Sequence, residues 1–258
     1  MLSVPYPMHE ADLSFHNCRG DTLRGVLHYP TEKRPRGSVI LCHGMESNKD
    51  SEKLVFLGRT LAARGILALR FDFSYAGEAS GKFEDLTYSG EVEDLKAAYA
   101  LMRSRQDGKI AILGSSMGGT VALLFAGQQP EIAALVTVAA PLHPERFPQR
   151  ILTPAELRLW RERGFTIYNG QRLNVSLLED LERINLPEAA RRIRCPVLIL
   201  HGEADEIVPV AEAHELYACL NSDKRLSVLN GTDHRLSDPA IMQQAMAQAF
   251  DWLTEHVR

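Results

Sequence analysis

The 258-residue sequence lacks any pairing pattern of cysteines: Cys18, Cys42, Cys195 and Cys219 are scattered, and no two form a C-x-x-C pair. This spacing fits free thiols in a reducing compartment better than a disulfide framework. Long hydrophobic runs are also missing. The longest, Ile132 to Ala140, falls far short of the roughly 20 residues that cross a bilayer, so no transmembrane helix is expected. The opening MLSVPYPMHEADLS has neither the basic start nor the apolar stretch of a secretory signal. These absences together point to the cytoplasm. Charge of one sign is scarce: the formal net charge is -4, with no basic tract of the kind that grips nucleic acid or a membrane surface. Small-molecule partners remain, and neither nucleic acid nor membrane is expected as a partner. Nothing in the sequence sets an oligomeric state.

What is present describes a globular domain. Hydrophobic residues make up 45% of the chain and charged residues 24%, proportions that suit a folded soluble protein. A chain of this length, read as one domain over 1–258, can bury roughly three quarters of its unfolded surface without help from disulfides or metals. Two strands, Leu13 to Asn17 and Leu23 to Tyr29, flank Arg19-Gly20-Asp21, a turn composition that predicts a hairpin at one sheet edge. Short apolar runs then alternate with helical stretches. The runs are Ser38 to Cys42, Ile66 to Phe71, Ile110 to Leu113, Ala134 to Val138, Val197 to Leu200 and Leu226 to Leu229. Strands of this kind, apolar on both faces, belong in a parallel sheet covered by helices. The last helix starts at Asp238-Pro239, where Asp can accept from free N–H groups and Pro is tolerated at the first helical position.

Gly114-Ser115-Ser116-Met117-Gly118 is a G-x-S-x-G sequence set between the strand ending at Leu113 and a helix from Met117. A strand that reverses into a helix so tightly needs small residues around the serine, and it pushes the Ser116 hydroxyl into solvent at the sheet tip. Serine is a poor nucleophile at neutral pH and needs a base within reach, which in turn needs a partner to fix its tautomer. Asp205 follows the strand Val197 to Leu200, and His234 follows the strand Leu226 to Leu229. The resulting chain order Ser, Asp, His matches one known order of such triads. Glu203, Glu206 and Asp233 are rival acids, and Asp205 has an alternative use as a helix cap. His43 and His201 sit in turns beside glycine and are read as structural. For the oxyanion, the backbone N–H groups of Met45, after an early strand, and Met117, after the nucleophile, form the natural donor pair.

The set His43-Gly44, Gly114-x-Ser116-x-Gly118, His201-Gly202-x-x-Asp205-x-x-Val208-Pro209 and His234 resembles the α/β-hydrolase superfamily over essentially the whole chain. Arg70-Phe71-Asp72-Phe73, Ser80 to Thr87 and Glu91-x-Glu93-Asp94 bring the resemblance closer to bacterial cinnamoyl and feruloyl esterases and to serine-aminopeptidase-like and lysophospholipase-like hydrolases. One stretch departs: Ser74-Tyr75-Ala76-Gly77 stands where relatives commonly read Asn-Gly-His-Gly. The resemblance implies an α/β-hydrolase fold, with a mostly parallel eight-stranded sheet flanked by helices, no cofactor, no metal, and a cap inserted at Leu142 to Leu186. A structureless loop of that length is unexpected in a compact domain, so helices or a hairpin are predicted there. Its aromatics Trp160, Phe165 and Tyr168, with Phe147, are the candidate substrate-binding residues. The function expected is a carboxylic-ester hydrolase acting through an acyl-enzyme on Ser116, with cinnamoyl or feruloyl esters among the options. Peptidase, thioesterase, lactonase or perhydrolase chemistry on the same triad, and a non-catalytic binding protein on this fold, stay open as alternatives.

Overall fold

The computed structural model describes residues 9–31 and 34–257. The opening residues 1–8, part of the stretch that speaks against a secretory signal, lie outside them. Antiparallel pairing of β1 (His9–His16) with β2 (Thr22–Tyr29) forms the predicted hairpin. Asn17 shapes its turn by accepting the N–H groups of Arg19 and Asp21 on one side-chain oxygen, each at 2.9 Å. The chain then enters β3 (Ser38–Cys42), α1 (Glu52–Ala62), β4 (Leu67–Asp72), α2 (Tyr88–Arg105), β5 (Ile110–Ser115), α3 (Met117–Ala126) and β6 (Ile132–Val138). Every residue of β3, β4 and β5 is buried, as expected for strands covered on both faces.

Between β6 and the next sheet strand, the segment predicted to fold on its own contains α4 (Phe147–Ile151), α5 (Pro154–Arg163), a hairpin of β7 (Phe165–Tyr168) and β8 (Gln171–Asn174), and α6 (Ser176–Leu181). Helix α5 has a full capping box, with Thr153 and Glu156 exchanging side-chain and backbone bonds, and ends on Gly164 at φ 78°. The Asn169-Gly170 turn takes φ 48° and 76°, the left-handed pair that a two-residue hairpin needs. The chain returns through α7 (Leu186–Arg192) to β9 (Val197–Gly202), α8 (Ala211–Cys219), β10 (Lys224–Leu229) and α9 (Pro239–Val257). Asp238 opens α9 by accepting from the Ala240 and Ile241 N–H groups.

The sheet runs β1-β2-β4-β3-β5-β6-β9-β10, with β2 antiparallel to both of its neighbours and the other seven strands running in one direction. This is the eight-stranded, mostly parallel sheet that the resemblance implies. One apolar cluster on one face gathers side chains of α2, α3 and the inserted segment, and a second on the opposite face gathers those of α1 and α9. From β3 the chain steps outward first to β4 and then, on the other side, to β5. A crevice therefore opens at the carboxyl ends of β3 and β5, where ligands bind in sheets of this type.

Candidate active site

Ser116 stands at that crevice, immediately after β5, with φ 52° and ψ -123°. A non-glycine residue in this region is strained, and the strain is what lifts the side chain clear of both strand and helix. The glycines around it are fixed by contact. A Cβ on Gly114 would sit 2.2 Å from the Gly118 carbonyl oxygen, and one on Gly118 would sit 2.2 Å from that of His43. The predicted crowding is therefore backbone against backbone, which no side-chain movement could relieve.

His234 Nε2 lies 2.9 Å from Ser116 Oγ, and His234 Nδ1 lies 2.8 Å from Asp205 Oδ2. The structure thus brings together the three residues predicted to act as a unit. Asp205 is buried and holds its second oxygen on the Ile207 and Val208 N–H groups at 2.9 and 2.7 Å. Burial alone would raise its pKa, but hydrogen bonds from His201, His234 and the Val208 N–H outweigh that and hold it well below the usual carboxylate range. An ionised carboxylate on Nδ1 fixes the proton there and leaves Nε2 free to accept from the serine.

The rival acids are engaged elsewhere. Glu203 accepts from the Gly231 N–H, Glu206 from the His234 N–H, and Asp233 from the Ser237 N–H. His201 is fully buried, with Nε2 2.8 Å from the Val208 carbonyl and 3.2 Å from Asp205 Oδ2, so it braces the loop that carries the acid. His43 is also buried: its Nε2 accepts the Phe73 N–H at 3.1 Å, which places the proton on Nδ1 to donate to the Gly44 carbonyl at 2.8 Å. Burial lowers its pKa and keeps it neutral.

Met45 and Met117 both border the cavity above Ser116. Met117 is the first residue of α3, where helical N–H groups have no partner within the helix and the helix dipole favours negative charge. The loop after Met45 is tied down by Asp72, which accepts the Lys49 N–H at 2.7 Å and pairs with the Lys49 ammonium at 2.9 Å. Asp72 also accepts the Glu78 N–H at 3.0 Å. Gly77 lets that turn close, because a Cβ there would meet Asp72 Oδ2 at 2.3 Å. The departing stretch Ser74 to Gly77 is anchored as well, with the Ser74 N–H and hydroxyl both on Asp94.

The cavity measures about 630 Å³. Tyr168 borders it and packs edge-on against Phe147, which borders it too, with ring centres 5.4 Å apart. Trp160 does not reach it: only 1% exposed, it sits in the same apolar cluster as Leu173, Leu177 and Leu181 and holds the inserted segment together. Phe165 is also absent from the wall, and lies under the Arg172 guanidinium at 4.1 Å across the hairpin. Three cavity residues carry no motif in the sequence. Tyr88 opens α2, Lys53 lies in the first turn of α1, and Arg150 on α4 pairs with the buried Glu212 of α8 and donates to the Ile207 carbonyl at 3.1 Å. Glu212 in turn accepts the Leu142 and His143 N–H groups, fixing the start of the segment. Among the described residues, no group of three His, Cys, Asp or Glu side chains is placed to hold a metal ion, and no helix is long and apolar enough to cross a membrane.

A model of the family described as serine aminopeptidase, S33, matches residues 33–184 and 171–238. Human mitochondrial palmitoyl-protein thioesterase ABHD10 is 26% identical over 254 residues, covering 93% of this chain and 79% of the relative. Among solved structures, Est1E from Butyrivibrio proteoclasticus with ferulic acid bound is similar with a TM-score of 0.82 at 21% identity, over 95% of this chain and 99% of that one. Mouse alpha/beta hydrolase domain-containing protein 10 is similar with a TM-score of 0.78 at 20% identity, again over 95% and 99%.

Proposed function

The chain belongs to the serine aminopeptidase, S33, family of hydrolases and has the α/β-hydrolase fold, and from that premise we propose that it cleaves carboxylic esters through an acyl-enzyme on Ser116. The observation that supports this most directly is the unbroken line Asp205, His234, Ser116 at a cavity large enough for a small or medium acyl group. In this reading His234 takes the Ser116 proton as the oxygen attacks the ester carbonyl carbon. Asp205 stabilises the imidazolium that results. The tetrahedral oxyanion accepts from the Met45 and Met117 N–H groups, donors that need no reorganisation at the moment of reaction. When the intermediate collapses, the carbon–oxygen bond to the leaving group breaks and His234 returns the proton to the departing oxygen. A water molecule then repeats the sequence with His234 as base, releasing the acid and restoring the serine.

The segment Leu142 to Leu186 serves as a cap in this scheme. His143, Pro144, Phe147, Arg150, Ile151 and Tyr168 supply its part of the cavity wall, and Asn169 at the hairpin tip donates to Glu46, beside Met45, at 2.7 Å. The four cysteines are unpaired, which fits residence in the cytoplasm.

The test is an organophosphonate probe followed by peptide mapping, run beside a panel of p-nitrophenyl and hydroxycinnamoyl esters with Ser116→Ala as blank. Labelling of Ser116 and loss of turnover in the blank are expected. Labelling at Ser115, or none in active protein, overturns the assignment. A thioesterase is the second reading, favoured by the human relative's name. Oxygen and sulfur esters of one acyl group, compared by kcat/KM, separate the two.

A further inference from the structure

Lys53 occupies the first turn of α1, where the helix dipole opposes a cation, yet its side chain is turned into the cavity wall beside the nucleophile. Its ammonium donates to Ser115 Oγ at 3.2 Å and to the Arg235 carbonyl oxygen at 3.4 Å, both neutral acceptors. Arg235 borders the same cavity. Among the described residues neither cation forms an ion pair. The two carboxylates of the wall have other work, Glu46 taking the Asn169 amide and Glu206 the His234 N–H, and Asp233, whose charge is felt at Lys53, takes the Ser237 N–H. Burial pushes the Lys53 pKa down to about 8, with Asp233 opposing and the like charge of Arg235 adding to the fall. Lys53 gives up hydration beside a like charge with no ion pair to compensate, while Arg235 stays exposed, and an anion between them would relieve the repulsion and replace the hydration Lys53 has lost.

The pair also has a direction. His234 must hand a proton to the leaving atom, so the leaving group departs on the imidazole side. Arg235 is the next residue, and Lys53 is hydrogen-bonded to its carbonyl. Phe147, Ile151 and Val208, elsewhere in the wall, offer apolar surface instead. Resting on the reading of Ser116 as nucleophile, we infer that the cavity takes esters whose leaving group carries a carboxylate, seated between Lys53 and Arg235. An arginine fork at the mouth and a compact ammonium deeper in match a carboxylate's two oxygens.

The experiment has a binding arm and a turnover arm. In Ser116→Ala, 4-hydroxybenzoate and its methyl ester are titrated by calorimetry, and the free acid is expected to bind about tenfold tighter. Adding Lys53→Met, which keeps the apolar stem, should abolish that preference, and Arg235→Gln, an exposed change, should reduce it. In wild-type protein, 4-acetoxybenzoate and methyl 4-acetoxybenzoate, which share an acyl group, are compared by kcat/KM. The ratio should favour the anion and fall in both variants. Lys53→Met is also expected to raise the thermal midpoint, because it removes an unpaired, desolvated charge. Equal binding of acid and methyl ester, or a preference that survives both substitutions, overturns the inference while leaving Ser116 chemistry standing. If the anion binds preferentially but wild type hydrolyses neither ester, the hydrolase reading falls and the leaving-group assignment with it.

Discussion

Two regions of the molecule converge on one cavity by different rules. Ser116 directly follows β5, Asp205 lies three residues beyond the end of β9, and His234 lies five beyond the end of β10. With so little chain between the strand and the side chain, the sheet itself aims each group. The aromatics of 142–186 are placed by how small helices and a hairpin pack on one another. Trp160 on α5 ended in a core and Tyr168 in the cavity wall, although both are large aromatics of one segment. Chemistry near a strand end is therefore written in short spacings, and selectivity in packing.

The largest effect expected of that difference is at the strand ends. Ser116→Ala and His234→Ala should each lower kcat on p-nitrophenyl acetate by roughly 10⁴ to 10⁶, and Asp205→Asn by about 10⁴, since the amide leaves the imidazole in the wrong tautomer. Combining them should cost little more than one alone. A near-normal Asp205→Asn beside a crippled Glu206→Gln would mean that the strand end does not aim the acid.

Trp160→Ala comes next, and its effect belongs to stability. A fully buried indole replaced by a methyl group should cost about 3–5 kcal/mol by urea titration, with the acyl-length profile of the folded fraction unchanged. A changed profile would show that the core of the segment and the cavity wall are one unit.

Gly118→Ala should cost about 1–3 kcal/mol or more, because its Cβ meets the His43 carbonyl oxygen and backbone has to move. The same titration reads it, and activity should fall further than stability alone explains as the turn at Ser116 opens.

The smallest effect is Tyr168→Ala. Removing one partly buried ring from the wall should shift the ratio of kcat/KM between long and short acyl groups by roughly 3- to 10-fold, from about 25 cal/mol for each Å² of acyl surface left in water, with little change in unfolding. Replacing the whole segment by a linker is a poor test by comparison, since Leu177, Leu178 and Leu181 belong to the large core cluster that also holds α2.

The inner strands β3, β4, β5, β6 and β9 were legible because a run apolar on both faces has no better place than a covered sheet, whereas the edge hairpin was read from its turn, and β1 starts four residues before the predicted Leu13 because its early residues carry no apolar signal. The tight turn at Ser116 was legible because glycine at 114 and 118 is demanded by backbone contact, and that demand is local. Lys53 carried a faint signal, a cation in the first turn of a helix against the dipole, but sequence does not say that the turn faces a cavity. Arg150 and Glu212 are 62 positions apart, and no spacing rule links them. Trp160 and Phe165 lie off the cavity wall, the first in the core and the second under Arg172 on the hairpin, because aromatic content alone does not say which surface a ring will meet.

The bond between Ser116 and His234 spans 118 positions of chain, and with Asp205 it draws on three separate strands. Such a contact closes late when the protein refolds, because a long loop must be ordered before any reward is collected. Helices and the early strands can regain their circular-dichroism signal while the serine is still inert. On the proposed reading of Ser116, phosphonate labelling would clock the completion of the fold rather than its beginning, and a chain stalled short of that step would cleave no ester.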